Sequence, residues 1–478
     1  MLQIQNYING QLVEPNAKHY LDNYNPSNGK VYGTIPDSDN TDVEQAIQAA
    51  NTAKKAWAAV VPEERFKILN RIAELIDLKR DELALAESVD QGKPVWLAKT
   101  EITRAGQNMR FFATACLHYN DASNIMPGHA INYTNRHPLG VVACISPWNL
   151  PLYLFTWKIA PALATGNCVI AKPSEITPAT AYLFSKICIE AGLPAGVLNI
   201  VHGTGFKIGD FITSHPQIKA ISFTGGTNTG KRIAGIAAPM FKKLSLELGG
   251  KNPNIIFDDA DLEKAVATSV NSSFLNQGEI CLCGSRIYIQ QAIYQQFKDK
   301  FIAKVLQLTV GNPLEDGNKV GAIVSKGHFD KILAYIEIAK TEGATILCGG
   351  DAKKVQGLED GCYINPTVIE GLKQESVCIQ EEIFGPVVSI MPFETEEEAI
   401  ALANGTNYGL AATIWTQNVQ RAHNVAAALE SGIVWINCWL LRDLRTPFGG
   451  MKDSGVGREG GFNAMNFFTE QQNVCVKL

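Results

Sequence analysis

Short, continuously apolar segments in the middle of the chain restrict the possible folds more than any other feature. They cover residues 141–145, 168–172, 197–201 and 220–223, and they alternate with helical segments beginning near Pro151, Pro178, Phe206 and Thr229. Strands that are apolar along their whole length are buried on both faces, as in a parallel sheet covered by helices on both sides. We therefore predict an α/β fold with a doubly wound, Rossmann-like domain.

The rest of the chain indicates at least one further domain. A length of 478 residues is too great for one ordinary hydrophobic core. Before residue 40, β-like runs alternate with turns, and amphipathic helices then begin at a capping box, 41–44, and at Pro62. A second α/β segment runs from about 249 to 448, and the last dozen residues are typical of a terminal strand.

Charge and cysteine content exclude several classes of function. The net charge of -5 provides no basic field for nucleic acid. Eleven cysteines without a C-x-x-C pair, and eight histidines without metal-ligand spacing, predict a reduced, cytoplasmic protein with no metal site. No signal peptide is recognised, and prolines and Lys158 interrupt the most apolar stretch, 141–164, so we expect no membrane span.

Cys281 is the candidate nucleophile. It stands three residues after Gly278 in a polar segment, and the β-rich run 287–289 follows, which predicts a thiol displayed on a loop. Most cysteines simply pack as small hydrophobes, and this alternative stays open on the residues alone. Cys283 is expected to pack, although an oxidised pair with Cys281 is an alternative.

Other polar residues in apolar or glycine-rich surroundings are candidates for the same site. Glu247 ends a buried strand pattern, where burial would raise its pKa towards that of a general base; a salt-bridged structural role is the alternative. Asn149 follows the strand 141–145 and either stabilises an oxyanion or caps a turn. Lys172 and Glu175 follow the next strand and either hold ribose hydroxyls or form an exposed pair.

Two glycine-rich loops join strands to helices, at 203–209 and 223–230. Neither has the spacing of the usual dinucleotide fingerprint, G-x-G-x-x-G. Each could present backbone N–H groups and a helix N-terminus to a pyrophosphate, or could simply be a tight turn.

Taken together, these motifs resemble the aldehyde dehydrogenase superfamily along essentially the whole chain. The matching segments are PWN at 147–149, KPSE at 172–175, FTGGTNTG at 223–230, ELGGK at 247–251, NQGEIC at 276–281, EEIFGP at 381–386 and SGVGRE at 454–459. The resemblance implies attack of Cys281 on an aldehyde, an oxyanion held by Asn149, hydride transfer to a nicotinamide, and hydrolysis of the thioester by water that Glu247 activates.

The resemblance also implies the cofactor residues. Lys172 and Glu175 would hold the adenine ribose, and Glu382 and Phe384 the nicotinamide half. Because a carboxylate at Glu175 repels a 2'-phosphate, NAD is expected rather than NADP. Gly226 replaces the usual serine, and Glu279 replaces a common glutamine, which should oppose ionisation of the thiol. The remaining cofactor-binding residues by this resemblance are Ile145, Pro147, Trp148, Ser174, Gly205, Phe223, Thr224, Gly225, Gly226 and Leu248.

For the substrate, the segments around Arg110 and Arg442 are similar to the branch that oxidises 2-aminomuconic and 2-hydroxymuconic semialdehydes. This similarity implies that both arginines, with Trp157, bind an aldehyde substrate that carries a carboxylate. On the residues alone they are surface arginines lying over apolar neighbours. A neutral or cationic aldehyde, such as betaine aldehyde, is the alternative, although two arginines would repel a cation.

The resemblance further implies a division into three parts and an oligomer. Residues 1–120 and 139–248 would form the NAD-binding domain, 249–448 the catalytic domain, and 121–138 with 460–478 a small β bridging arm of a homodimer or homotetramer. Two rival functions use the same fold. A structural protein would have lost catalysis, and a CoA-acylating enzyme need not keep Glu247 as a hydrolytic base.

Overall fold

The computed structural model describes residues 2–478, which begin with short strands followed by long helices. The capping box of the first helix uses Asp39 and Asp42 instead of the predicted 41–44, because the helix begins one residue before Thr41. The strands are β1 (Leu2–Gln3), β2 (Asn6–Ile8), β3 (Gln11–Val13), β4 (Tyr20–Asn25) and β5 (Lys30–Pro36), and the helices are α1 (Asn40–Ala59), α2 (Pro62–Leu78), α3 (Arg80–Gln91) and α4 (Val95–Ala115).

The predicted doubly wound sheet is confirmed. After a ribbon of β6 (Asn124–Met126) and β7 (Ala130–Pro138), its strands are β8 (Val141–Ile145), β9 (Cys168–Lys172), β10 (Leu198–Ile200), β11 (Ile218–Thr224) and β12 (Lys243–Glu247), and its helices are α5 (Pro151–Ala164), α6 (Ala179–Glu190), α7 (Gly205–Ser214) and α8 (Thr227–Ala237). β8 and β9 are buried at every residue.

The order of these strands decides where a ligand can bind. They lie side by side in the order β12-β11-β8-β9-β10, and neighbours are parallel. The chain moves outward from β8 in one direction through β9 and β10, and in the other through β11 and β12. The carboxyl ends of β8 and β11 therefore flank a topological switch point, where open α/β sheets bind their ligands.

The second α/β segment has its own sheet, in the order β15-β16-β17-β14-β13-β19-β20, parallel except between β15 and β16. Its strands, with the short β18, are β13 (Pro253–Ile256), β14 (Arg286–Gln290), β15 (Thr345–Cys348), β16 (Thr367–Glu370), β17 (Val387–Phe393), β18 (Tyr408–Gly409), β19 (Ala411–Trp415) and β20 (Ile433–Ile436). Its helices are α9 (Leu262–Phe274), α10 (Tyr294–Val305), α11 (Lys326–Thr341), α12 (Val377–Gln380), α13 (Glu396–Asn404) and α14 (Val419–Ala428).

The C-terminal segment returns to both earlier parts of the chain. It contains β21 (Met451–Lys452), β22 (Gly455–Val456), α15 (Gly461–Phe467) and the predicted terminal strand β23 (Thr469–Lys477). β23 pairs with β7 along its whole length, and β22 joins the first sheet beside β12, opposite Glu247. Nowhere in residues 2–478 does a helix have the length and apolar character needed to cross a membrane.

Candidate active site

A loop with left-handed backbone carries Cys281. Asn276, Gln277 and Gly278, which follow α9, have φ angles of 52°, 56° and 74°. A Cβ at position 278 would lie 2.2 Å from the carbonyl oxygen of Gly385, so only glycine fits there. The tight turn brings Cys281 out of the helix direction and leaves it half-buried, as predicted for a displayed thiol.

Cys281 lies in the wall of two adjoining cavities. One, of about 250 Å³, also contacts Asn149, Leu248, Glu382 and Phe384. The other, of about 190 Å³, is lined largely by apolar side chains of α4, α5 and the segment 440–448. A thiol at such a junction can react with a ligand in one cavity while a second ligand occupies the other.

The thiol of Cys281 is held in its neutral form. Burial raises its pKa above the ordinary value, the carboxylates of Glu382 and Glu247 raise it further, and Arg442 opposes them. Glu279, which we expected to act on this thiol, is not among these groups; burial raises the pKa of Cys283, and Glu382 and Glu279 raise it further. Attack by the sulfur of Cys281 therefore requires transfer of its proton to a base.

The carboxyl group of Glu279 is turned away from the thiol and buried. It accepts hydrogen bonds from Gln91 Nε2, at 2.6 Å, and from the N–H of Val324, at 3.1 Å. Burial raises its pKa to about 8. Its backbone carbonyl, in contrast, accepts a hydrogen bond of 2.9 Å from Asn149 Nδ2.

Asn149 is buried in the connection between β8 and α5. Its amide nitrogen carries two N–H bonds, and the contact with Glu279 uses one of them. As far as residues 2–478 are concerned, the second N–H is left for a ligand in the cavity that Asn149 and Cys281 share. A neutral amide donor there can stabilise a developing oxyanion.

Glu247 ends β12 in a buried environment. Both of its carboxylate oxygens lack a hydrogen-bond partner within the described range 2–478. Burial raises its pKa well above the ordinary value and the nearby Glu459 raises it further, while Lys158 and Arg442 oppose the shift. A Cβ at Gly449 would lie 2.9 Å from Glu247 Oε1, so the glycine leaves room beside the carboxylate. A buried, unpaired carboxyl group is suited to proton transfer.

A larger cavity of about 480 Å³ lies at the switch point of the first sheet. At one side, Lys172 Nζ is 3.0 Å from Glu175, and Glu175 accepts a hydrogen bond from the N–H of Gly205. Burial would raise the pKa of Glu175, but these contacts keep it below its ordinary value, so the carboxylate is charged. The predicted cofactor residues that line this cavity are Ile145, Pro147, Trp148, Lys172, Ser174, Glu175, Gly205, Phe223, Thr224, Gly225 and Gly226.

Two glycines after β11, one in the loop and one in α8, have no room for a side chain. A Cβ at Gly225 would lie 2.5 Å from the ring of Phe223, and one at Gly230 would lie 2.4 Å from Leu248. Gly226 is the N-cap of α8 and has open space around its Cβ position, so a serine would fit there. Gly226 and Thr229 line the cavity at the N-terminus of α8. Because the first N–H groups of a helix have no acceptor within the helix, this end favours a phosphate.

The remaining predicted cofactor residues, Leu248, Glu382 and Phe384, line the smaller neighbouring cavity. Glu382 Oε1 accepts a hydrogen bond of 2.9 Å from the N–H of Gly250. His328 also lines this cavity, and sequence reasoning missed it: its Nε2 lies 2.6 Å from the carbonyl oxygen of Phe384, and its ring meets that of Trp148 edge-on. No sequence signal distinguished this histidine.

The second cavity that Cys281 lines contains two arginines. Its lining includes Leu97, Thr100, Glu101, Arg104, Tyr153, Leu154, Leu282, Leu440, Arg442 and Phe448. The guanidinium group of Arg442 lies 4.3 Å from the ring of Trp157 and 4.1 Å from that of Phe448. Its Nη1 donates a hydrogen bond of 2.6 Å to Tyr153 Oη, and its Nη2 is buried with no partner in the part of the chain described.

Arg110 does not reach this cavity. Its side chain is 40% exposed, and its Nη2 lies 2.5 Å from Asp77 on α2. Arg104 lines the cavity instead, with its guanidinium group 6.0 Å from the ring of Tyr153. Six residues along a helix rotate a side chain by roughly 240° beyond a full turn, so Arg104 and Arg110 lie on different faces of α4.

Helical periodicity groups Arg104 with other residues of this cavity wall, but it does not show which face of α4 meets the cavity. Leu97, Thr100, Glu101 and Arg104 follow the i, i+3, i+4, i+7 pattern of one helix face, and all four line the cavity. Trp157 lies against the guanidinium group of Arg442 and is buried. It supports that arginine from behind, whereas we had expected it to contact the substrate directly.

Comparisons with known proteins find relatives over essentially the whole length of the chain. The family model described as the aldehyde dehydrogenase family matches residues 12–474. The chain is 49% identical to 2-aminomuconic semialdehyde dehydrogenase of Bos taurus, over 100% of this chain and 99% of that protein. It is 44% identical to 2-hydroxymuconic semialdehyde dehydrogenase of Pseudomonas sp. (strain CF600), over 100% of both chains.

A solved structure is similar over the same length. Betaine aldehyde dehydrogenase of Staphylococcus aureus, determined in complex with NAD+, superposes with a TM-score of 0.96 at 38% identity. The match covers 99% of this chain and 95% of that one.

Proposed function

Because the chain belongs to the aldehyde dehydrogenase family, we propose that it oxidises an acidic semialdehyde to the carboxylic acid with NAD as the hydride acceptor. The observation that carries the substrate class is the pair Arg104 and Arg442 in the cavity that contains Cys281. Relatives named for 2-aminomuconic and 2-hydroxymuconic semialdehydes support substrates of that kind.

The reaction begins with the thiol. In this proposal Cys281 loses its proton to a base, and its sulfur forms a bond to the aldehyde carbon. The carbonyl oxygen becomes an oxyanion, which the Asn149 amide and the N–H of Cys281 stabilise. As the carbonyl reforms, the former aldehyde hydrogen leaves with its electron pair as hydride, which NAD accepts, and a thioester on Cys281 results.

Hydrolysis completes the cycle. Glu247 takes a proton from water, whose oxygen attacks the thioester carbon and displaces the thiolate of Cys281. The unpaired, buried carboxylate of Glu247 and the space that Gly449 leaves beside it support this role. The raised pKa of Glu247 makes it a stronger base than an exposed glutamate when ionised.

NAD fits the larger cavity better than NADP does. The residues facing its polar end include the charged carboxylate of Glu175, held by Lys172. A carboxylate accepts hydrogen bonds from ribose hydroxyls and repels a 2'-phosphate. The NAD+ complex of the betaine aldehyde dehydrogenase supports the same cofactor.

A carboxylate fits the cavity that contains Arg104 and Arg442 better than a cationic aldehyde does. Arg442 Nη2 is a buried donor without a partner anywhere in residues 2–478, and a substrate carboxylate would supply the missing acceptor. Arg104 adds a second positive charge to the same cavity. Two guanidinium groups repel the trimethylammonium group of betaine aldehyde, so that alternative is disfavoured.

The test compares three arginine variants on two substrates. Arg104→Ala and Arg442→Ala should each lower kcat/KM for a freshly made muconic semialdehyde about tenfold to 100-fold, since each removes a charged hydrogen-bond donor. Arg110→Ala, on the other face of α4, is the matched control and should retain the wild-type value. Equal losses on an uncharged aldehyde would show that the arginines do not recognise a carboxylate.

We also propose a division into domains and an oligomer. The first sheet lies mainly in residues 1–120 and 139–248, with β22 added from the C-terminal segment, and the second sheet lies in 249–448. The antiparallel β6-β7-β23 sheet corresponds to the bridging arm, with exposed Ile125, Tyr133 and Val476 on it. We propose that this arm joins subunits of a homodimer or homotetramer in the cytoplasm, and analytical ultracentrifugation tests the assembly.

A further inference from the structure

A buried ionic cluster lies directly behind the connection that carries Asn149. Its centre is Lys93, between α3 and α4, whose side chain is fully buried. The ammonium group contacts Glu101 and lies 3.5 Å from Glu87, and both carboxylates are also buried. Burying an ammonium group is costly unless its N–H bonds are all satisfied, so such a cluster forms only where each partner is held in place.

The third contact of the ammonium group is with the backbone of the active site. Lys93 Nζ donates a hydrogen bond of 2.9 Å to the carbonyl oxygen of Asn149. Glu87 Oε2 accepts a hydrogen bond of 3.2 Å from the N–H of Leu152, three residues further along. The cluster therefore holds the turn between β8 and α5 at two backbone atoms, both on the C-terminal side of the Asn149 side chain. The first of them, the carbonyl oxygen of Asn149, also accepts a hydrogen bond of 3.1 Å from Asn276 Nδ2.

The cluster is also close to the substrate. Glu101 lines the cavity that contains Arg104, Arg442 and Cys281. Burial raises the pKa of Glu101 despite the opposing charge of Lys93. The mechanism above uses neither Lys93 nor its two carboxylates, so their role is unexplained by that chemistry.

We propose that Lys93 is a positioning residue for the oxyanion site: by holding the carbonyl group of Asn149, its ammonium group fixes the direction of the Asn149 amide donor. The inference rests on the proposed role of Asn149. A displacement of an oxyanion donor by about 1 Å weakens a contact that matters chiefly in the transition state, so the loss falls on kcat. The affinity for NAD should not change.

Kinetics of Lys93→Met on an uncharged aldehyde, which avoids the arginines, test this role. We expect kcat to fall about tenfold to 100-fold, and the Kd for NAD, from fluorescence titration, to stay within about twofold. Asn149→Ala should lower kcat about 100-fold to 1,000-fold. If Lys93 acts through Asn149, the double variant should be no slower than Asn149→Ala. Multiplied losses, or a wild-type kcat for Lys93→Met, would overturn the proposal.

A matched control separates this effect from general loss of an ion pair. Lys79 Nζ lies 2.7 Å from Glu190 at the surface, and Lys79→Met should keep the wild-type kcat. Should Lys93→Met fold poorly, Lys93→Gln retains a neutral donor and is measured in the same cycle, with a smaller loss expected.

A crystal structure of the Lys93 variant tests positioning without turnover. Asn149 Nδ2 should move away from the carbonyl oxygen of Glu279, from which it is 2.9 Å in the wild-type chain. An unmoved amide would contradict the proposal even if activity fell. Failure of the wild-type enzyme to form NADH from any aldehyde would instead reject the proposed function, while the displacement would still report on Lys93.

Discussion

The cavity at the switch point, proposed for the cofactor, and the cavity that contains Arg442, proposed for the substrate, are built in different ways. A third cavity shares residues with the first and shares Cys281 with the second. The cofactor cavity consists of the carboxyl ends of parallel strands and the glycine loops that follow them, so backbone geometry shapes it. The substrate cavity consists of side chains from α4, α5 and the segment 440–448, which are distant in sequence. Motifs therefore locate the first cavity residue by residue, whereas the second depends on which helix faces meet.

The difference explains where sequence reasoning succeeded. The predicted cofactor residues line two cavities on this side, and most of them directly follow strands of the first sheet, whereas Glu382 and Phe384 follow α12 of the second α/β segment. On the proposed substrate side, Arg442 lines the cavity beside Cys281, whereas Arg104, six residues before Arg110 on α4, lies where Arg110 was expected.

The largest expected effect is at Cys281, which lies in the walls of two adjoining cavities. Cys281→Ser should lower kcat by at least about 1,000-fold, because a serine hydroxyl is a far weaker nucleophile than a thiolate. NADH formation measures the loss. The matched control is Cys283→Ala, which should stay active because Cys283 is buried and lies outside both cavity walls. Full turnover by the serine variant would show that the thiol of Cys281 is not the nucleophile.

The next effect separates the two half-reactions. Glu247→Gln should form about one NADH per active site in a burst and then turn over about 100-fold to 1,000-fold more slowly, since hydrolysis loses its base. Stopped-flow absorbance measures both phases. If the burst of this variant is slowed as much as its later turnover, Glu247 acts before hydride transfer instead.

The pH dependence of the wild-type enzyme provides a further check on Glu247. Only the ionised carboxylate accepts a proton, so kcat should fall as the pH falls through the pKa of Glu247. Because burial raises this pKa, the fall should begin above the ordinary carboxyl range, about pH 4. In Glu247→Gln this acidic limb should be absent from the pH profile of kcat.

A smaller effect is expected from the backbone-built cavity. Gly225→Ala would place a Cβ 2.5 Å from the Phe223 ring and should raise the KM for NAD about tenfold, with little change in the KM for the aldehyde. Gly226→Ser is the matched comparison, because its Cβ position is open. If both variants raise the KM for NAD equally, the close contact between position 225 and Phe223 does not shape the cavity.

The smallest effect is expected at Tyr153, in the cavity that contains Arg442. Tyr153→Phe removes the hydroxyl acceptor of Arg442 Nη1 and should raise the KM for an acidic semialdehyde about fivefold, equivalent to about 1 kcal/mol. The KM for an uncharged aldehyde should not change. A loss shared by both substrates would mean that Tyr153 contributes by packing instead of by orienting Arg442.

The amino-acid sequence by itself determined the doubly wound sheet and the family, and it predicted most of the residues that line the cavity at the switch point. These features depend on local patterns, namely apolar strands and the residues directly after them, and local patterns can be recognised along a single chain.

Only the tertiary structure decided that Arg104 and not Arg110 lines the cavity beside Cys281, that Glu279 turns away from the thiol, and that Lys93 contacts Asn149. Each of these depends on the rotation of a side chain about its own helix or loop, and on a partner far along the chain. Packing between elements fixes those directions, which is why the sequence left them open.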